Sequence, residues 1–157
     1  MNALTLLETD HAKVKKLLAE GETTTERGEK TRTELFATLK GELIVHERIE
    51  EEIFYPALRE HPKAKDIVLE AYEEHDVVDT ILGELETTDV TDETWGAKFK
   101  VMKENLEHHI EEEEGEMFKQ ARSVFETDEL DELGERMMEL KTRASQEIGL
   151  ATTASAR

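Results

Sequence analysis

The sequence predicts an all-α protein, an antiparallel up-and-down four-helix bundle with an additional C-terminal helix. Apolar residues recur at spacings of three and four along nearly the whole chain, which is the helical period. Only 8 Gly and 2 Pro occur in 157 residues, so there is little to break helices. Charged residues make up 38% and aromatics 5%, a profile of solvated helices rather than sheets.

The first helix is expected from Asn2 to Ala19, ending near Gly21, with Leu4, Leu7, His11, Val14 and Leu18 along its inner stripe. Gly21 to Thr25 reads as a turn. Thr23 and Glu26 have capping-box spacing, so a second helix starts there and runs to Tyr55. Its stripe is Leu35, Leu39, Leu43, His46, Glu50, Ile53 and Phe54. Pro56 and Pro62 are expected to break the chain before a third helix, Lys63 to Glu86, with Val68, Ala71, His75, Val78 and Leu82 inward. Thr91 is the expected cap of a fourth helix, Asp92 to Ala121, which shows Trp95, Phe99, Met102, Leu106, His109, Glu113 and Met117. A fifth, Thr127 to Ser145, would serve as a cover or a dimer contact, and residues 149–157 read as a loose tail. Short loops between amphipathic helices favour antiparallel neighbours.

The net charge of −19 argues against nucleic acid or an anionic membrane as partner. With no cysteine, disulfides, iron–sulfur clusters, thiolate zinc sites and covalent haem attachment are excluded. There is no basic region followed by an apolar stretch at the N-terminus and no long apolar run, so a cytoplasmic protein with no membrane span is expected, as monomer or homodimer.

Four of the six histidines fall in apolar stripes. On an ideal wheel with Leu39 at zero, His46 lies at about −20° and Glu50 at about +20°. With Trp95 at zero, Glu113 lies near zero and His109 near about −40°, while His108 is at about −140° on the flank. In the run Glu111 to Glu114, Glu112 and Glu114 point away on that wheel. His61, beside Pro62, reads as an exposed loop residue. A lone inward histidine is usually a hydrogen-bonded core residue, and one His-x-x-x-Glu is common helix decoration. Two carboxylates in one core are different, because each costs several kcal/mol without a cation. Arg48 faces the other way and Arg32 is several turns off. A pair of metal ions resolves that cost, with Glu50 and Glu113 as bridges and His11, His46, His75 and His109 as terminal ligands. Such a donor set suits iron or manganese, with zinc possible.

The segments Asp10-His11, His46 to Pro56, Glu74-His75, and His109 to Phe118, in this order, resemble the haemerythrin-like family of HHE cation-binding domains. The resemblance covers roughly residues 3 to 121. It implies one haemerythrin-like domain over 1–148 and a bundle holding two non-haem irons, often joined by an oxo or hydroxo bridge. Oxygen-carrying haemerythrins resemble this pattern but place two histidines one turn apart on the third helix. Here Ala71 and Asp79 flank His75 at that spacing. One nitrogen is missing, and Tyr72, Asp79 or water is expected to fill the position. The carriers' fourth-helix spacing of five matches His108 with Glu113, whereas the wheel selects His109. Glu8, Glu47 and Asp79 are placed to accept the far N–H of the imidazoles.

Two function classes follow. One is a di-iron protein binding dioxygen or a related oxidant, peroxide or nitric oxide, either reversibly or with catalase-like turnover. The other is an iron sensor or buffer. A haem bundle leaves Glu50 and Glu113 unexplained, and a ferritin-like centre needs Glu-x-x-His on two helices, a spacing only Glu8 and His11 supply.

Overall fold

The structure, a computed structural model, describes residues 1–149, and residues 150–157 of the expected tail lie outside the described residues. Five helical stretches and no strand occur among the described residues. Helix α1 is Ala3–Glu22, with the Asn2 side chain accepting the Thr5 N–H at its start. Helix α2 starts at Glu29–Ile49, passes through π-helical turns at Glu50–Phe54 and continues as Tyr55–Arg59. Helix α3 is Lys65–Glu86. Helix α4 joins Trp95–Glu112, a second π-helical stretch Glu113–Met117, and Phe118–Val124. Helix α5 is Thr127–Glu147.

Several expected boundaries shift, each for a local reason. Pro56 does not end α2. It sits just beyond the π turn, and the Glu51 carbonyl, five residues back, accepts the Tyr72 hydroxyl at 3.3 Å. Thr23 closes α1 instead of opening α2, its hydroxyl donating to the Glu20 carbonyl. Thr91 caps nothing. Asp89 and Asp92 instead take the N–H and hydroxyl of Thr91 and Thr94 in two short turns, and α4 starts at Trp95.

The buried apolar side chains form two clusters. One is built around Leu7, Phe54, Tyr55, Phe118 and Met137, the other around Leu18, Leu39, Trp95, Phe99 and Met102. Between them lies a layer of buried polar groups from α1 to α4. Helix α5 covers α1 and α2. It lies so close to the N-terminus that a Cβ on Gly134 would fall 2.2 Å from the Met1 carbonyl oxygen. Arg32 is far from the polar layer, stacked 4.3 Å over Trp95 and donating to the carbonyls of Thr24 and Val90. No helix among the described residues is long and apolar enough to cross a membrane.

Candidate metal centre

His11, His46, Glu50, His75, His109 and Glu113 converge in that layer, all buried. The Glu50 carboxylate spans two imidazoles, with one oxygen 3.2 Å from His46 Nε2 and the other 3.1 Å from His75 Nε2. Glu113 does the same, 3.0 Å from His11 Nε2 and 3.4 Å from His109 Nε2. His11, His46, Glu50 and Glu113 offer one group of donor atoms within 4.8 Å of one another, and Glu50, His75 and His109 offer a second. The wheel chose correctly between the neighbours, since His109 is inside and His108 is 67% exposed. His61 is half-buried and packs edge-on against Phe125.

Each imidazole donates its Nδ1–H to a carboxylate on the preceding helix, and the pairs close a ring. His46 donates to Asp10 of α1, His75 to Glu51 of α2, His109 to Glu74 of α3, and His11 to Glu114 of α4, at 2.5–3.0 Å. These bonds fix the ring orientation and leave Nε2 facing inward. Helix α5 adds Lys141, whose Nζ donates to Asp10.

The expected outer partners are therefore replaced. Glu8 is exposed, and Asp10, two residues on, holds the imidazole instead. Glu47 and Asp79 pair with each other, and burial together with that bond pushes the Glu47 carboxyl up to about 9. Glu114 reaches His11 rather than pointing away. Asp10, Glu51, Glu74 and Glu114 share one sequence signal: each is the acid immediately beside an inward histidine or glutamate.

The position opposite His75 and His109 is filled neither by Tyr72 nor by Asp79. Asp79 is exposed, and Tyr72 lies outside, its ring against Tyr55. The side chain present is Tyr55, fully buried, whose hydroxyl donates to Glu113 at 2.5 Å. The same oxygen lies 3.3 Å from His75 Nε2 and 3.4 Å from His109 Nε2. On an ideal α-helix Tyr55 would point about 160° from Leu39. The π turns starting at Glu50 rotate it inward, and its backbone N–H bonds to the Glu50 carbonyl five residues back.

Without a cation, this layer holds protons tightly. Burial alone would push the imidazoles of His75 and His109 down. The adjoining carboxylates overcome it, Glu50 and Glu51 for His75 and Glu113 and Glu74 for His109, and both stand at about 10. His46 is likewise raised against burial by Glu50 and Asp10. Burial would raise Glu113, but the close approach of Glu50, His109 and His11 holds it well below the carboxylate range. Burial, then the charges of Glu113 and Glu50, raise the Tyr55 phenol well above its usual value. Even so, Nε2 of His11 and His46, both oxygens of Glu50 and one of Glu113 have no hydrogen-bond partner. Buried atoms left without a hydrogen-bond partner in this way fit a cation.

An all-helical bundle with imidazoles and carboxylates turned inward defines a metal-binding protein. The chain belongs to the haemerythrin HHE cation-binding domain family, whose sequence model matches residues 2–121. It is also similar to the crystal structure of a haemerythrin HHE cation-binding domain-containing protein from Mycobacterium kansasii. The identity is 30% and the TM-score 0.83, over 94% of this chain and 89% of that one. That span is longer than the family match, so the likeness reaches into α5. No curated protein matches the chain.

Proposed function

We propose that the chain is a non-haem di-iron protein that binds dioxygen or a related small oxidant, peroxide or nitric oxide, at a carboxylate-bridged two-metal site. The carrying observation is the set of five buried donor atoms that lack hydrogen-bond partners, on His11, His46, Glu50 and Glu113. In this reading His11 and His46 would hold the first ion and His75 and His109 the second, with Glu50 and Glu113 offering an oxygen to each. Tyr55 supplies the donor that the missing third-helix histidine would otherwise give. Manganese or zinc satisfies the same donor set. Residues 1–148 act as one unit, because Lys141 of α5 braces Asp10 and through it His46.

Held by these residues, two ferrous ions would supply two electrons together to a small oxidant. The chain's own part is orientation and proton handling. The ring of four carboxylates fixes the imidazoles, the apolar clusters on both sides exclude bulk water, and before metal binds the Tyr55 hydroxyl holds a proton against Glu113.

Elemental analysis of protein purified without added metal should find about two irons per chain, given one donor group for each ion. The ferrous protein, mixed with oxygen, should develop a visible band. A colour that returns through degassing cycles indicates carriage, and bleaching or gas evolution from peroxide indicates turnover. Protein that takes up no stoichiometric metal overturns the reading. The same orphaned carboxylates favour a second reading, an iron sensor or buffer whose fold answers to occupancy. Loaded protein should then melt well above the stripped form and show no oxidant chemistry.

A further inference from the structure

The chain has two tyrosines, and their rings touch. Tyr55 is fully buried with its hydroxyl among His75, His109 and Glu113, whereas Tyr72 on α3 is half-buried and partly open to solvent. The rings meet edge to face, centroids 5.3 Å apart and planes 75° apart. One backbone feature orients both. The π turns at Glu50–Phe54 swing Tyr55 inward and bond its N–H to the Glu50 carbonyl. Pro56 has no N–H to give the Glu51 carbonyl, and the Tyr72 hydroxyl donates to that carbonyl instead, at 3.3 Å.

The other rings near the layer do not lead outward in the same way. Phe118 against His11 and Phe54 against Tyr55 are far harder to oxidise than a phenol. Trp95 lies in the other apolar cluster, between Phe36 and Phe99. The chain has no cysteine. Tyr72 is therefore the readily oxidised side chain in line between Tyr55 and the surface. Electron tunnelling falls off exponentially with distance, so two rings in contact form a favourable step.

We infer that Tyr72 is an electron donor to the centre, giving one electron through the Tyr55 ring when hydrogen peroxide meets a site left with a single ferrous ion. The inference rests on the two-metal reading above. Cleaving the O–O bond to two waters takes two electrons and two protons. A half-oxidised site has one electron to give, and peroxide cut by one electron yields hydroxide and a free hydroxyl radical. Tyr72 supplies the second electron and prevents that outcome. One peroxide, one ferrous ion, one phenol and one proton from solvent give two waters, one ferric ion and one neutral phenoxyl radical. The radical ends on Tyr72, where a thiol or ascorbate in solution can reduce it, and Tyr55 starts and ends the step unchanged.

The test uses full-length protein loaded with iron, half of it oxidised beforehand, then mixed with hydrogen peroxide and a nitroso spin trap. Freeze-quenched samples without the trap should show an organic radical by electron paramagnetic resonance. Peptide mass spectrometry should find the trap on Tyr72. Tyr72→Phe should bind iron normally, keep the visible spectrum of the loaded protein and lose the trapped adduct. Tyr55→Phe, compared at matched iron content and matched peroxide consumption, should lose most of the Tyr72 adduct. Zinc-loaded protein should form none. An adduct that is absent, sits on Trp95 instead, forms equally with zinc, or persists on Tyr72 in Tyr55→Phe overturns the electron path and leaves the metal centre standing. An unmodified chain that takes up no iron overturns both.

Discussion

Glu50 and Glu113 each begin a stretch of π-helical turns, and five residues beyond each lies a buried aromatic ring, Tyr55 in one half of the bundle and Phe118 in the other. The rest of the two halves correspond closely. Each pairs a helix carrying one imidazole with a helix carrying His-x-x-x-Glu, and each imidazole has its own outer carboxylate. The ring is where they part. Tyr55 places a hydroxyl between His75, His109 and Glu113. Phe118 stacks on His11, centroids 6.4 Å apart and planes 17° apart, and offers no donor. Around Phe118 the half is further closed by α5, with Lys141 on Asp10. On the His109 side a small opening lies between α3 and α4. A shared backbone device has thus made one enclosed position and one with an extra oxygen donor.

The most damaging way to test that comparison is to remove what the halves share. Glu50→Ala or Glu113→Ala deletes a proposed bridge, and metal content should fall from both positions to below about a tenth of the normal value, since an open, incompletely charged site holds divalent ions poorly. Loss from one position alone, seen by elemental analysis, would mean that the halves are independent sites.

Next in size is the pH dependence of the metal-stripped chain. His75 and His109 stand at about 10 in the folded protein against an ordinary 6.5. Folding therefore takes up protons. The stabilisation is fully present below about 6.5 and is lost as pH rises toward about 10. Chemical denaturation between those limits should show the stripped protein weakening with pH. Metal affinity should move the other way, because the ions displace those protons. A flat stripped-protein profile would show that these imidazoles are not held charged.

The aromatic pair can then be separated by what each loss disturbs. Phe118→Ala leaves a cavity over His11 and should cost about 3–5 kcal/mol in denaturant unfolding. Tyr55→Phe keeps the ring volume, so its expected mark is spectroscopic: loss of any phenolate-to-iron absorption in the loaded protein, with stability changed by less than about 1.5 kcal/mol. A Tyr55→Phe spectrum identical to the unmodified one would remove Tyr55 from the donor set.

The smallest effects should come from the outer carboxylates. Asp10→Asn and Glu74→Gln are each expected to weaken one of two steps in a Co2+ titration by about 10–100-fold. Asp10→Asn should act on the His11–His46 side and Glu74→Gln on the His75–His109 side. The Asp10 change should be the larger, because Asp10 is 5% exposed and Glu74 24%.

Much of this centre can be read along the chain, because the helical period assigns a direction to every side chain before the first π turn. His46, Glu50, His109 and Glu113 were all legible for that reason, as were His11 and His75 on uninterrupted helices. Tyr55 and Glu114 were not, because both follow the point where the period changes. The outer carboxylates were hidden differently. Asp10, Glu51, Glu74 and Glu114 sit beside inward residues, and adjacency on one helix says nothing about which helix comes next in space. Pro56 misled in the same way, since a proline that ends an α-helix can be absorbed just after a π turn.

The sequence by itself determined that this chain folds as helices and that six metal-seeking side chains face one interior, since a fixed rotation per residue turns spacing into direction. Only the tertiary structure decided which carboxylate orients which imidazole, that the Tyr55 hydroxyl rather than a third-helix group lies beside His75 and His109, and where a small opening lies between α3 and α4. Those facts depend on distances between helices and on two local changes of helical pitch, and no period along a single chain encodes either.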